Sequence, residues 1–129
     1  MGLLHRLNSM VLARIRERAG GAAIQRVDAS GKSLSLELST GDRETLDLQR
    51  LSHAAAMKLD VHAGTEIALV LEFAEPPRLV QIPESCEGWE RACSALDAVP
   101  GSTPHGVWYA RLLAQDETAL IDIWPVAAA

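Results

Sequence analysis

Ser33-Leu34-Ser35-Leu36-Glu37-Leu38-Ser39 alternates without a break, leucines on one side and polar side chains on the other. A period of two belongs to an extended strand with one buried face and one wet face. Both ends of the run carry turn chemistry: Ala29-Ser30-Gly31-Lys32 before it and Thr40-Gly41-Asp42 after it, each with a glycine free to take positive φ. Upstream, residues 22–28 hold Ile24 and Val27 and read as a strand. Downstream, residues 43–48 resume the alternation through Leu46 and Leu48. Three strands joined by tight turns make an antiparallel meander.

Beyond it, residues 47–52 read as a bend and residues 53–59 as a strand, although three alanines weaken its alternation. Residues 60–64 read as a loop, and the apolar run 66–73 as a central strand. Glu75-Pro76-Pro77 interrupts the pattern, and residues 78–82 form a sixth strand ended by Pro83. A helix is expected over 86–99, capped by Ser85, with Trp89, Ala92, Cys93, Leu96 and Val99 as its apolar stripe. Pro100-Gly101 ends it. A second helix is expected from Thr103-Pro104, with Trp108, Leu112 and Leu113 turned inward. Residues 115–118 turn the chain into a last strand, 119–124, closed by Pro125.

The N-terminal segment has the other period. Leu3, Leu4, Leu7, Met10, Val11 and Ile15 recur at spacings of three and four, which predicts an amphipathic helix over 3–18 stopped by Gly20-Gly21. Arg6, Arg14, Arg16 and Arg18 against Glu17 give residues 1–20 a charge of +3, leaving −8 on the other 109 residues. An acidic body repels a phosphate backbone, so nucleic acid is not an expected partner. The apolar stripe of this basic helix has three candidate destinations: the protein's own sheet, a second copy in a dimer, or an anionic membrane surface. The chain therefore divides into an accessory helix, 1–20, and one domain, 21–125.

Composition narrows the class further. With 48% hydrophobic and 22% charged residues in 129, the chain matches an ordinary globular domain. No apolar run approaches bilayer length and no secretory leader is expected, so the expected location is cytoplasmic.

Few residues suggest chemistry. Gly31-Lys32-Ser33 lacks the first glycine of a phosphate loop, because Arg26 stands there, and a strand follows where that loop needs a helix. Cys86 and Cys93, seven apart on one expected helix, would lie about 10 Å apart, too far for a disulfide, and no histidine pair completes a zinc set. Cys86, near a helix start, is a candidate for a lowered pKa. His62 and His105 read as solvated loop residues. No nucleophile sits in a catalytic context. The expectation is no catalytic residue, no cofactor, no metal and no small-molecule ligand. Of three tryptophans, Trp89 and Trp108 read as core, whereas Trp124, at a strand end, is the candidate for a partner contact. Leu3, Leu7 and Met10 are the other candidate contact residues.

Leu46-Asp47-Leu48-Gln49-Arg50-Leu51 at the bend, Leu79-Val80-Gln81-Ile82-Pro83, and Gly88-Trp89-Glu90 leading to Leu96 and Pro100 carry a resemblance. Over residues 22–124 the chain resembles the bacterial pleckstrin-homology-like domains, among them small bacterial proteins of unassigned function. The resemblance implies an α+β fold: a strongly bent, mostly antiparallel sheet in the manner of a PH-like barrel, capped by a helix. A C-terminal helix and strand are extra to that pattern. Lipid-binding members resemble one another in a basic first hairpin, of which this chain has only Lys32 and, nearby, Arg26. The expected function is a non-catalytic binding or adaptor module acting through protein contacts. The alternatives are a peripheral membrane protein held by 3–18, or a small acidic immunity-type protein.

Overall fold

The structure, a computed structural model, describes residues 24–61, 64–74, 77–115 and 118–125. The expected helix over 3–18, with Leu3, Leu7 and Met10, and His62 lie outside the described residues. In chain order the elements are β1 (Ile24–Ser30), β2 (Ser33–Leu38), β3 (Arg43–Asp47), a 3-10 turn (Leu48–Arg50), β4 (Leu51–Val61), β5 (Gly64–Phe73), β6 (Arg78–Pro83), α1 (Trp89–Asp97), α2 (His105–Leu113) and β7 (Ala119–Trp124).

The fold is α+β with two antiparallel sheets and two helices. The first sheet has the order β1-β2-β3 and the second β6-β5-β4-β7. In β2 the alternation acts as expected: Leu34 and Leu36 are buried, and Ser35 between them is exposed. The buried leucines meet Val27 and Leu46 of the same sheet, and Leu69, Leu71 and Ile82 of the second, in one core. Trp89 and Leu96 of α1 and Trp108 and Leu112 of α2 fill the space between.

The expected barrel is not closed. β4 pairs with β5 along one edge and with β7 along the other, so it has no edge left for β3. The chain leaves the first sheet instead through the 3-10 turn, where the Asp47 carboxylate accepts the Gln49 amide at 2.9 Å. The expected 60–64 loop is also shorter: Asp60 and Val61 finish β4 and Gly64 opens β5.

The first helix starts later than the cap at Ser85 predicts. α1 begins at Trp89 behind Gly88, at φ 84. The preceding residues run beside β1: Val27 N donates to Glu87 O at 2.8 Å and Glu87 N to Gln25 O at 3.1 Å. A cap at Ser85 would wind Glu87 into the helix and forfeit both bonds. Cys86 therefore lies outside the helix, and the two cysteines do not share one. In α2, Trp108 and Leu112 are buried as expected, while Leu113 is 53% exposed. Helical geometry turns one of two successive residues away from the core. Among the described residues no helix is long and apolar enough to cross a membrane.

Candidate functional site

Trp124, the partner-contact candidate, ends β7 opposite Ala54 of β4, where the register shifts by a bulge. Its indole N–H donates to Pro100 O at 3.1 Å, so the ring is held in place and half-buried. One wall of a groove is built on it. The β1–β2 turn supplies Lys32, whose carbonyl accepts Leu48 N at 2.8 Å and so ties that turn to the 3-10 turn. Leu48 forms an apolar floor, and Gln49 is presented by its Asp47 cap. The last turn of α1 contributes Ala95, and the residues just past it contribute Ala98 and Val99. The volume is about 350 Å³.

The chemistry of this groove is narrow. Its walls are mostly apolar, with one cation, Lys32, and one carboxamide, Gln49. No described lining residue pairs a nucleophile with a base, so what the groove offers is apolar contact, an amide and a single positive charge. Trp124 was legible as an exposed-edge tryptophan. Lys32, Leu48 and Gln49 were not legible as its companions, because they arrive from turns some 75 to 90 residues upstream. The other candidate contact residues, Leu3, Leu7 and Met10, are not among the described ones.

A second cluster was missed by reading His105 as a solvated loop residue. His105 opens α2, half-buried, with its amide accepted by Asp97 Oδ1 at 2.8 Å. Its ring lies 4.8 Å from that of Trp108, 5.3 Å from Trp89 and 5.4 Å from Tyr109, centroid to centroid. Four rings thus meet where α1 and α2 converge. Trp89 Nε1 and His105 Nε2 are both buried and find no partner among the described residues. A signal was present: His105 and Trp108 are three apart and share a helix face.

Tyr109 closes the cluster by donating its hydroxyl to Glu84 Oε2 at 2.6 Å. That bond, followed by burial and the negative charge of Glu84, pushes the phenol up to about 12. The thiols are held protonated as well. Burial, then the carboxylates of Asp97, Glu84 and Glu90, pushes Cys93 up to about 12. Cys86 is raised by burial and then by Glu87, the opposite of the lowering its place near a helix start suggested. Neither is an activated nucleophile.

Tyr109 is the sole tyrosine in the chain, so phenolate absorbance reports it alone. In the folded protein the midpoint is expected near 12, and in denaturant near the ordinary ~10. Because the folded-state value is raised, the stability this bond supplies is present below about 10 and is lost as pH climbs through 12. In Glu84→Gln the folded midpoint should drop toward ~10. A midpoint unmoved by that substitution would show that Glu84 does not set it.

Comparison of the chain with family models, with curated proteins and with solved structures gives no match in any of the three.

Proposed function

We propose that this protein is a non-catalytic binding module that takes a short apolar segment of a protein partner in the Trp124 groove. The single observation that carries this reading is the anchored, half-buried Trp124 indole forming one wall of an apolar groove of about 350 Å³. A fixed aromatic wall costs little conformational entropy on binding, which is why tryptophan recurs at protein contacts. Lys32 on the rim favours a partner segment whose apolar residue is flanked by a carboxylate. The thiols, held protonated by burial, also support a binding role over nucleophilic catalysis. The order of elements, a meander, a second run of strands and a tryptophan-led helix, supports the PH-like resemblance as part of the same reading.

Selection of displayed peptides on the immobilised full chain tests the proposal. Enriched peptides are expected to carry a large apolar residue beside an acid. Ala98 is exposed at the C-cap of α1, so Ala98→Glu should place a carboxylate in the groove at a cost of no more than ~1 kcal/mol against the helix dipole. Binding of the enriched peptides should fall on the order of tenfold or more in that variant. No enrichment, or enrichment indifferent to Ala98→Glu, would remove the groove as the binding site.

A further inference from the structure

The centre of the outward face of the second sheet is buried, yet no described element lies on it. Ala55 and Met57 of β4 and Ala68 and Val70 of β5 form an apolar cluster apart from the main core, flanked by Leu79 and Leu120. Every described member of that cluster comes from the sheet itself. α2 is on the opposite face, where the buried Lys58 amine donates to Gln115 O at its C-terminal end. Even so, Ala55 is 0% exposed and Met57 and Val70 are each 1% exposed. In-plane neighbours shield the flanks of a side chain standing off a sheet but not its tip. A methionine buried this far has a layer of protein above it.

Length decides which part of the chain supplies that layer. Residues 62–63, 75–76 and 116–117 are two-residue connections, and 126–129 are four small residues. Residues 1–23 alone have the extent. We propose that residues 3–18 cover this face as a helix, with the stripe Leu3, Leu4, Leu7, Met10, Val11 and Ile15 turned onto Ala55, Met57, Ala68 and Val70.

Three observations support this occupant. A 16-residue helix is about 24 Å long, enough to cross a four-stranded sheet about 15 Å wide, and the alanines at 55 and 68 leave a trough for it. Charge is complementary. Glu66 and Glu72 share the face with Ala68 and Val70 by strand alternation, and Asp122, whose Oδ1 is already paired with His53 Nε2 at 2.8 Å, joins them opposite Ala55. On the helix, at about 100° per residue, Arg14 and Arg18 fall on the same side as Leu7 and Val11. The path is also short. Glu87 N bonds Gln25 O at 3.1 Å, so β1 begins beside the end of β6, the edge strand of that sheet. Residues 20–23 can reach about 13 Å, more than the roughly 10 Å between packed layers. The stripe cannot lie on this sheet and in a membrane at once, so the proposal also opposes a membrane anchor.

The three methionines of the chain, Met1, Met10 and Met57, allow a test on the full-length protein without a variant. Peroxide oxidation read by peptide mass spectrometry should modify Met10 and Met57 on the order of tenfold more slowly in the folded chain than in the urea-unfolded chain. Protection should be independent of protein concentration, with a monomer by light scattering and no flotation on anionic phosphatidylserine vesicles. In Leu7→Asp, Met10 and Met57 should both become reactive. Met10 as reactive as in the unfolded chain while Met57 stays protected would overturn the proposal, since something else would then cover the face. So would protection of both that disappears on dilution together with a dimer, which assigns the face to a second copy. Protection of Met10 only when vesicles are added would assign the stripe to a lipid surface.

Discussion

Gly88→Ala is expected to destabilise the protein by more than ~3 kcal/mol, from strain together with broken backbone bonds. Gly88 sits at φ 84, and a Cβ built there would meet the carbonyl oxygen of Val27 at 1.9 Å. The left-handed conformation alone costs about 1–2 kcal/mol for a residue with a side chain. The clash adds to that, because the obstacle is backbone that cannot swing aside. Val27 pairs with Leu36 in the first sheet, and its own N–H donates to Glu87 O at 2.8 Å. Relief would require parting β1 from residues 86–88, with loss of the two bonds there at about 1 kcal/mol each. Gly101 supplies the control, since its φ of 83 is nearly the same and the space around it is open. Gly101→Ala should therefore show the conformational part alone. Urea unfolding of the two variants separates the terms, and equal losses would mean that the close approach to β1 carries no weight. The contact matters beyond stability. It seats α1 against β1, and the last turn of α1 forms one side of the Trp124 groove.

Gly88 also shows why parts of this fold were legible in the chain and parts were not. β2 was legible because its two faces see different media, so Leu34 and Leu36 alternate with exposed Ser35. β4 was legible only in its middle, 53–59, and with a weakened alternation, because Ala54, Ala55, Ala56 and Met57 are all buried, alternately on its two faces, and a strand covered on both sides has little period to read. The start of α1 was misread because Ser85 and Glu87 have the composition of a helix N-terminus. The competing bonds came from β1, some 60 residues away. Which strand would take the free edge of β4 is likewise a long-range matter, and β7 took it, leaving the barrel open. At the candidate site, the strand-end position of Trp124 pointed to exposure, but the residues that turn an exposed ring into a groove come from distant turns. His105 was lost only in part for this reason: Trp89 comes from the other helix, but the nearer ring, Trp108, stands three residues on in its own helix.

Trp108→Ala is the second large effect, with an expected loss of about 3–5 kcal/mol. Trp108 is 0% exposed, and its ring touches three others, with centroids 4.8 Å to His105, 5.9 Å to Tyr109 and 6.1 Å to Trp89. A tryptophan buries roughly 150–250 Å², and neighbours that are themselves rings cannot flow into the space it leaves, so the cavity term stays near its upper range. For a domain whose total stability is typically ~5–15 kcal/mol, this removes a large fraction. Trp108→Phe, which keeps a ring in place, should recover part of the loss, and Leu113→Ala, five residues on and 53% exposed, should cost within ~0.5 kcal/mol. The site should respond as well. α2 packs against β4 and β7, and β7 carries Trp124, so loosening α2 should free the Trp124 indole from Pro100 O and weaken peptide capture in the groove even where the domain remains folded. Urea unfolding followed by near-ultraviolet circular dichroism, together with peptide binding at temperatures below the transition, reads both. A Trp108→Ala chain as stable as Leu113→Ala would mean that the four-ring cluster does not hold α2 to the sheet. A destabilised chain that still captures peptide as well as the parent would separate the groove from the core that is argued to support it.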